Sequence, residues 1–117
     1  MLFRSLPDGW LHNVTMRIVS EKTVRDWAAR YPNAESWLKG WIKTAERADW
    51  SNLQDVRRQY PHADGVLVAS GRIATVFNVS GNKYRMVTSI HYNRGIVFTL
   101  FLLTHAEYSK DAWKGKL

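Results

Sequence analysis

The sequence predicts an α+β fold, with an N-terminal strand and two to three helices packed on one face of an antiparallel sheet. Three observations predict it. Apolar residues recur at helical spacing only between residues 20 and 60. Extended apolar and β-branched runs crowd residues 66–103. Those runs are joined by short connections rich in Gly and Asn, the residues that tight hairpins need. Strand, helices and then a meander is the order of an α+β domain rather than of alternating βα units.

Residues 1–15 show little periodicity, with Pro7-Asp8-Gly9 as a turn signal. Met16-Arg17-Ile18-Val19 reads as a short strand. Ser20 is a candidate N-cap, and Val24, Trp27, Ala28 and Tyr31 follow at helical spacing. Pro32 ends that helix, because the residue before a proline avoids the helical region. A second helix starts near Asn33 with the stripe Trp37, Leu38, Trp41, Ile42 and Ala45. The Trp37/Trp41 pair reads as core packing rather than as a cofactor or base-stacking site. Gly40 lowers helix propensity by about 1 kcal/mol and is expected to let a neighbouring element approach closely. Ser51-Asn52-Leu53-Gln54 matches a capping box that opens a short third helix through Val56 towards Tyr60, with Pro61 as its stop. Strands follow near 66–69, 72–79, 83–92 and 95–103, connected in part by Ser80-Gly81-Asn82 and Asn93-Arg94-Gly95. Residues 16–117 read as one domain.

Composition bounds the function. Hydrophobic residues make up 45% of the 117 and six are Trp, so a real if small core is within reach. No apolar run approaches the roughly 18 residues of a bilayer span, and Met1-Leu2-Phe3-Arg4 does not lead into the apolar stretch of a secretory signal. Zero Cys excludes disulfides, thiolate catalysis and Cys-ligated zinc, and is compatible with the cytosol. The formal charge is +7, with eight Lys/Arg against six Asp/Glu in residues 1–50 and nine against four in residues 51–117. The basic excess therefore lies in the sheet half, and charge favours nucleic acid among partners, beside the plainer reading of a basic surface that binds no polyanion.

The chemistry concentrates in two segments, Phe77 to Arg85 and Thr104-His105-Ala106-Glu107-Tyr108. Strand alternation puts Lys83, Arg85, Val87, Ser89 and His91 on one face, and Tyr84, Met86, Thr88, Ile90 and Tyr92 on the other, more apolar one. The final strand is apolar on both parities, which marks it as central and leaves its register unassigned. Metal-free cleavage of RNA needs a base for the 2′-hydroxyl, cations for the phosphorane and an acid for the leaving 5′-oxygen. Arg85 and Lys83 suit the phosphate, and His105 titrates in the neutral range when unperturbed. Each residue also has a plainer role: Lys83 and Arg85 as solvated charges, His105 paired with Glu107 at the strand end, Tyr108 packed by its ring, Asn82 serving turn geometry. His12, His62 and His91 do not share metal-ligand spacing with His105, so no metal site is expected.

Four blocks extend this reading: Met16-Arg17-Ile18-Val19-Ser20, Ala48-Asp49-Trp50, Val76-Phe77-Asn78-Val79 with Gly81-Asn82-Lys83-Tyr84-Arg85, and Thr104-His105-Ala106-Glu107-Tyr108. In order and spacing they resemble the HigB-type toxins of bacterial type II toxin–antitoxin modules, in the RelE-like mRNA interferase superfamily. The resemblance spans roughly residues 16–108. It implies a RelE-like fold and a cytoplasmic, ribosome-associated endoribonuclease that cuts translated mRNA by metal-independent 2′-hydroxyl transphosphorylation and needs no cofactor. It also implies a HigA-type helix-turn-helix antitoxin as partner, contact with operator DNA only through that antitoxin, and no membrane. On the motif positions it assigns Arg85 and Lys83 to phosphate binding and transition-state charge, and His105 to proton transfer. Tyr108 and Asn82 fall to substrate positioning. Residues 1–15 precede the usual family start, as an upstream start not used in cells or, less favoured, an arm that touches the antitoxin. The alternative activity is a non-catalytic RNA- or ribosome-binding translation inhibitor, and a third possibility is a degenerate toxin-like protein kept for its partner alone.

Overall fold

The structure, a computed structural model, describes residues 15–117. The expectations for the N-terminal turn and arm fall on residues 1–14 and lie outside the described residues. Five strands form one sheet in the order β1-β5-β4-β3-β2: β1 (Arg17–Val19), β2 (Asp64–Leu67), β3 (Ile73–Val79), β4 (Tyr84–His91) and β5 (Ile96–Thr104). Strands β2 to β5 pair antiparallel, as expected, while β1 joins β5 in parallel, with Ile18 opposite Val97. Parallel pairing follows from the helical crossover, α1 (Glu21–Arg30), α2 (Pro32–Arg47) and α3 (Leu53–Gln59), that separates β1 from the meander.

The helices form where their apolar stripes dictate. Val24 and Ala28 of α1, and Ala34, Leu38, Trp41, Ile42 and Ala45 of α2, are buried against Phe77, Val79, Met86 and Val97 of the sheet. Trp41 is core, as expected, and Trp37 is half-buried against it: both lie edge-on to Phe77, with ring centroids 5.6 and 6.4 Å away respectively. Pro32 occupies the first turn of α2, where its missing N–H costs no helix hydrogen bond.

Three local readings need correction. Ser20 sits at the start of α1 but in a left-handed conformation with no side-chain cap, and Thr99 Oγ1 on β5 instead donates to the Val19 and Ser20 carbonyls, at 3.2 Å each. The α3 cap is Asn52, one residue past Ser51: its side chain accepts from Asp55 N at 3.0 Å, and Asp55 accepts from Ser51 N at 2.9 Å. A Cβ at Gly40 would meet no neighbouring element within 4 Å among the described residues, because the position lies on the exposed face of α2. Strand β2 also begins two residues earlier than expected, since a turn over residues 68–72 closes the hairpin that pairs Leu67 with Ile73.

The second sheet face carries a core of its own, which the sequence pattern does not predict. Val68, Ala74, Val76 and Val87 are buried there beneath Trp113, which comes from a 3-10 segment, Ala112–Lys116, at the C-terminus. A β-bulge explains why β5 resisted assignment. Val87 pairs with Phe101 but Thr88 pairs with Thr99, so Leu100 is an extra residue and the alternation of β5 resets across it. Val97 therefore packs under the helices, while Phe101 and Leu103, of the same sequence parity, pack with Trp113.

Candidate active site

Arg85 lies on the face away from the helices, at the start of β4 where the β3–β4 turn ends. The turn bends through two positive φ values, 53° at Ser80 and 71° at Gly81, and Ser80 Oγ donates to the Asn33 carbonyl at 2.7 Å, tying the turn to α2. Asn82 then meets the guanidinium. Arg85 Nη2 donates to Asn82 Oδ1 at 2.8 Å, and Nη1 donates to the carbonyls of Tyr84 at 3.2 Å and Asn82 at 3.4 Å. Asn82 thus serves both turn and arginine, more than turn geometry alone required. The guanidinium also lies 5.6 Å from the centre of the Tyr108 ring.

Tyr108 sits on a short helix, α4 (His105–Ser109), where the sequence pattern predicts only the end of a strand. The signal was present: Thr104-x-x-Glu107 is a capping box, in which Glu107 N donates to Thr104 Oγ1 at 3.1 Å and Thr104 N donates to Glu107 Oε1 at 2.9 Å. This overturns the pairing of His105 with Glu107, because the carboxylate is occupied by the cap. Tyr108 stacks on Trp113 at 5.3 Å and 19°, and Trp113 Nε1 donates to the Tyr108 carbonyl at 3.1 Å. Lys114 Nζ lies 5.9 Å from the Trp113 ring centre, so a column of cation, two rings and cation runs along this end of the sheet. Burial pushes the Tyr108 hydroxyl above its ordinary value. Asp64 adds to the rise and Lys114 and Arg85 oppose it, so the phenol keeps its proton at neutral pH.

Lys83 and His105 meet through the backbone, His105 N donating to the Lys83 carbonyl at 3.2 Å. Both side chains are exposed and neither has a hydrogen-bond or ion-pair partner among the described residues. The five sequence candidates thus come together at one sheet end, two of them joined by side-chain bonding (Asn82, Arg85), one by ring contact (Tyr108) and two by backbone (Lys83, His105). A cleft of about 620 Å³ opens beside Asn82 and is lined by Asn78, Trp37, Tyr60 and His62 among others. Asn78 is the direct cross-strand partner of Arg85, a neighbour that strand pairing alone reveals. A smaller cleft, about 330 Å³ around Arg72, Ser89 and His91, shares none of the five candidates. No group of three or more His, Cys, Asp or Glu suited to a metal ion occurs among the described residues.

Residues 34–111 match a family described as HigB_toxin, the RelE-like toxic component of a toxin–antitoxin system. This chain belongs to the HigB toxin family. The match takes in all but the first two residues of α2, then α3, all of the sheet but β1, and α4, and so contains every one of the site residues. Relatives extend it: the mRNA interferase toxin HigB of Escherichia coli (strain K12) is 24% identical over 93 residues, covering 80% of this chain and 88% of that protein. The mRNA interferase HigB of Escherichia coli O157:H7 and that of Shigella flexneri match to the same extent. The α+β architecture with a mostly antiparallel five-stranded sheet agrees with the RelE-like description. Among the described residues no helix of this HigB-family chain is long and apolar enough to cross a membrane.

Proposed function

We propose that the chain is an mRNA interferase, an endoribonuclease that cuts translated mRNA on the ribosome, in the cytoplasm, and is neutralised by a HigA-type helix-turn-helix antitoxin. The observation that carries the reading is the fixed guanidinium of Arg85. Asn82 and two carbonyls hold it in place on the face away from the helices, with Lys83 two residues before it in the adjoining turn. A cation fixed before substrate arrives needs no reorganisation as phosphorane charge develops, which is the largest effect such a site can exert. The names of the relatives, mRNA interferase, support the same class of substrate.

The reaction is transphosphorylation. The 2′-oxygen bonds to phosphorus as its proton leaves, the bond to the 5′-oxygen breaks, and that oxygen takes up a proton. The products are a 2′,3′-cyclic phosphate and a 5′-hydroxyl end. Arg85 contacts a non-bridging phosphate oxygen pair and Lys83 adds a point charge. His105 transfers a proton, and the protonated phenol of Tyr108 positions the phosphate or donates to it. All of these roles fall to the chain's own side chains, without a metal. Dependence on the 2′-hydroxyl restricts the activity to RNA.

Mapping of 5′ ends in mRNA from cells expressing the chain tests the proposal. Discrete new ends inside translated codons, absent with Arg85→Ala, are the expected result. Arrested translation without new ends would instead mean a binding inhibitor that acts by occupancy.

A further inference from the structure

We infer that the cleft beside Asn82 is a nucleobase subsite, taking the base of the nucleotide whose phosphate lies against Arg85; the inference rests on the RNA-cleaving reading above. At about 620 Å³ the cleft falls within the roughly 300–1,000 Å³ of small-molecule sites. Four segments meet around it: α2 supplies Trp37, the end of α3 and the loop beyond it supply Gln59, Tyr60 and His62, β3 supplies Asn78, and the β3–β4 turn supplies Asn82.

Its chemistry matches a base rather than a phosphate. Among the described residues no Lys, Arg, Asp or Glu lines the cleft, although Arg85 stands one side chain away. Two rings supply flat surface: Trp37 and Tyr60 are both half-buried, with centroids 5.6 Å apart, and base–aromatic stacking is the usual hold on an unpaired nucleotide. Three amides supply the edges. Gln59 Oε1 accepts from Trp50 Nε1 at 2.8 Å and Asn82 Oδ1 accepts from Arg85, so in both the NH₂ group is left to donate. Asn78, opposite Arg85, makes no side-chain hydrogen bond among the described residues and offers both a donor and an acceptor. Asn and Gln amides pair with base edges through these complementary groups. Asn82 belongs to both regions: its side-chain oxygen holds the arginine, and the residue lines the cleft. That shared residue makes the cleft and the Arg85 guanidinium neighbours.

The test is an NMR titration of the full chain with each of the four nucleoside 3′-monophosphates, and with ribose 5-phosphate as a base-free probe. The nucleotides are expected to shift the Trp37 indole N–H and the side-chain amides of Gln59 and Asn78, with unequal affinity among the four bases. Ribose 5-phosphate is expected to shift only Arg85 and Lys83. Asn78→Ala should weaken nucleotide binding about tenfold and ribose 5-phosphate binding by less than about twofold. His62→Ala, at an exposed position, serves as a second variant, with a nucleotide-selective loss expected again. If nucleotides shift only Arg85 and Lys83, or shift nothing, there is no base subsite. The cleavage reading fails independently, when wild-type protein leaves mRNA uncut, and the titration still decides what the cleft binds.

Discussion

Arg85 and Asn82 can be separated by their energetics. Arg85→Ala removes the charge itself, whereas Asn82→Ala removes one of three acceptors, at 2.8 Å, and leaves the carbonyls of Tyr84 and Asn82 in place. Losing a preorganised group that stabilises developing charge costs about 10²–10³ in rate. Losing one exposed charge-assisted hydrogen bond costs ~1 kcal/mol, about fivefold in rate. Arg85→Lys keeps the charge but loses the planar fork, and should fall between the two. Initial rates of mRNA cleavage on programmed ribosomes give the comparison, with thermal unfolding as the control. The contact with the Tyr108 ring is worth about 0.5–1 kcal/mol, so Arg85→Ala should unfold only a few degrees lower. A folded Arg85→Ala cutting within about threefold of wild type, less than 1 kcal/mol of lost transition-state stabilisation, would remove Arg85 from the chemistry. Equal losses in Arg85→Ala and Asn82→Ala would mean that orientation, not charge, limits the reaction.

Three further outcomes are expected. Gly40→Ala places a methyl in open space on α2 and should stabilise the fold by about 0.5–1 kcal/mol, read as a rise in unfolding midpoint. Thr104→Ala deletes the side-chain cap of α4 at a cost of about 1 kcal/mol; hydrogen exchange at Glu107 should quicken, and cleavage should slow because His105 and Tyr108 ride on that helix. Burial, then a hydrogen bond and repulsion from Glu21, raise Glu46 above its ordinary value of 4.5, with Arg25 and Arg47 opposing. A carboxyl raised in the folded state contributes stability that is fully present below its unfolded value and is lost as pH rises through the folded one. Glu46→Gln should therefore unfold at higher temperature than wild type at pH 7, with the gap closing as the solution is acidified towards the ordinary carboxylate range.

Much of this protein follows from local pattern. The stripe of α2 determined its buried face, because burial at helical spacing leaves few alternatives. Alternation in β4 placed Arg85 opposite the helices, since Tyr84 and Met86 had to face the core. The Gly-Asn connections predicted hairpins, and the motif blocks pointed to the HigB family that the match over residues 34–111 bears out. Ser20, the Ser51 cap and Gly40 misled because several local arrangements satisfy the same residues, and only the finished packing chooses among them.

Tertiary structure decided the rest. The bulge at Leu100 leaves no mark in a strand apolar on both parities, yet it resets which side chains of β5 face Trp113. Trp113 was a lone aromatic in a polar tail until the second sheet face gave it a surface to cover. Asn78 and the cleft beside Asn82 exist only once β3 pairs with β4 and the loop after α3 closes alongside. Sequence by itself determined which residues could carry phosphate chemistry and on which face of β4. Their meeting with Tyr108, and the neutral cleft next to them, depended on strand pairing and on contacts between distant segments, which no local spacing encodes.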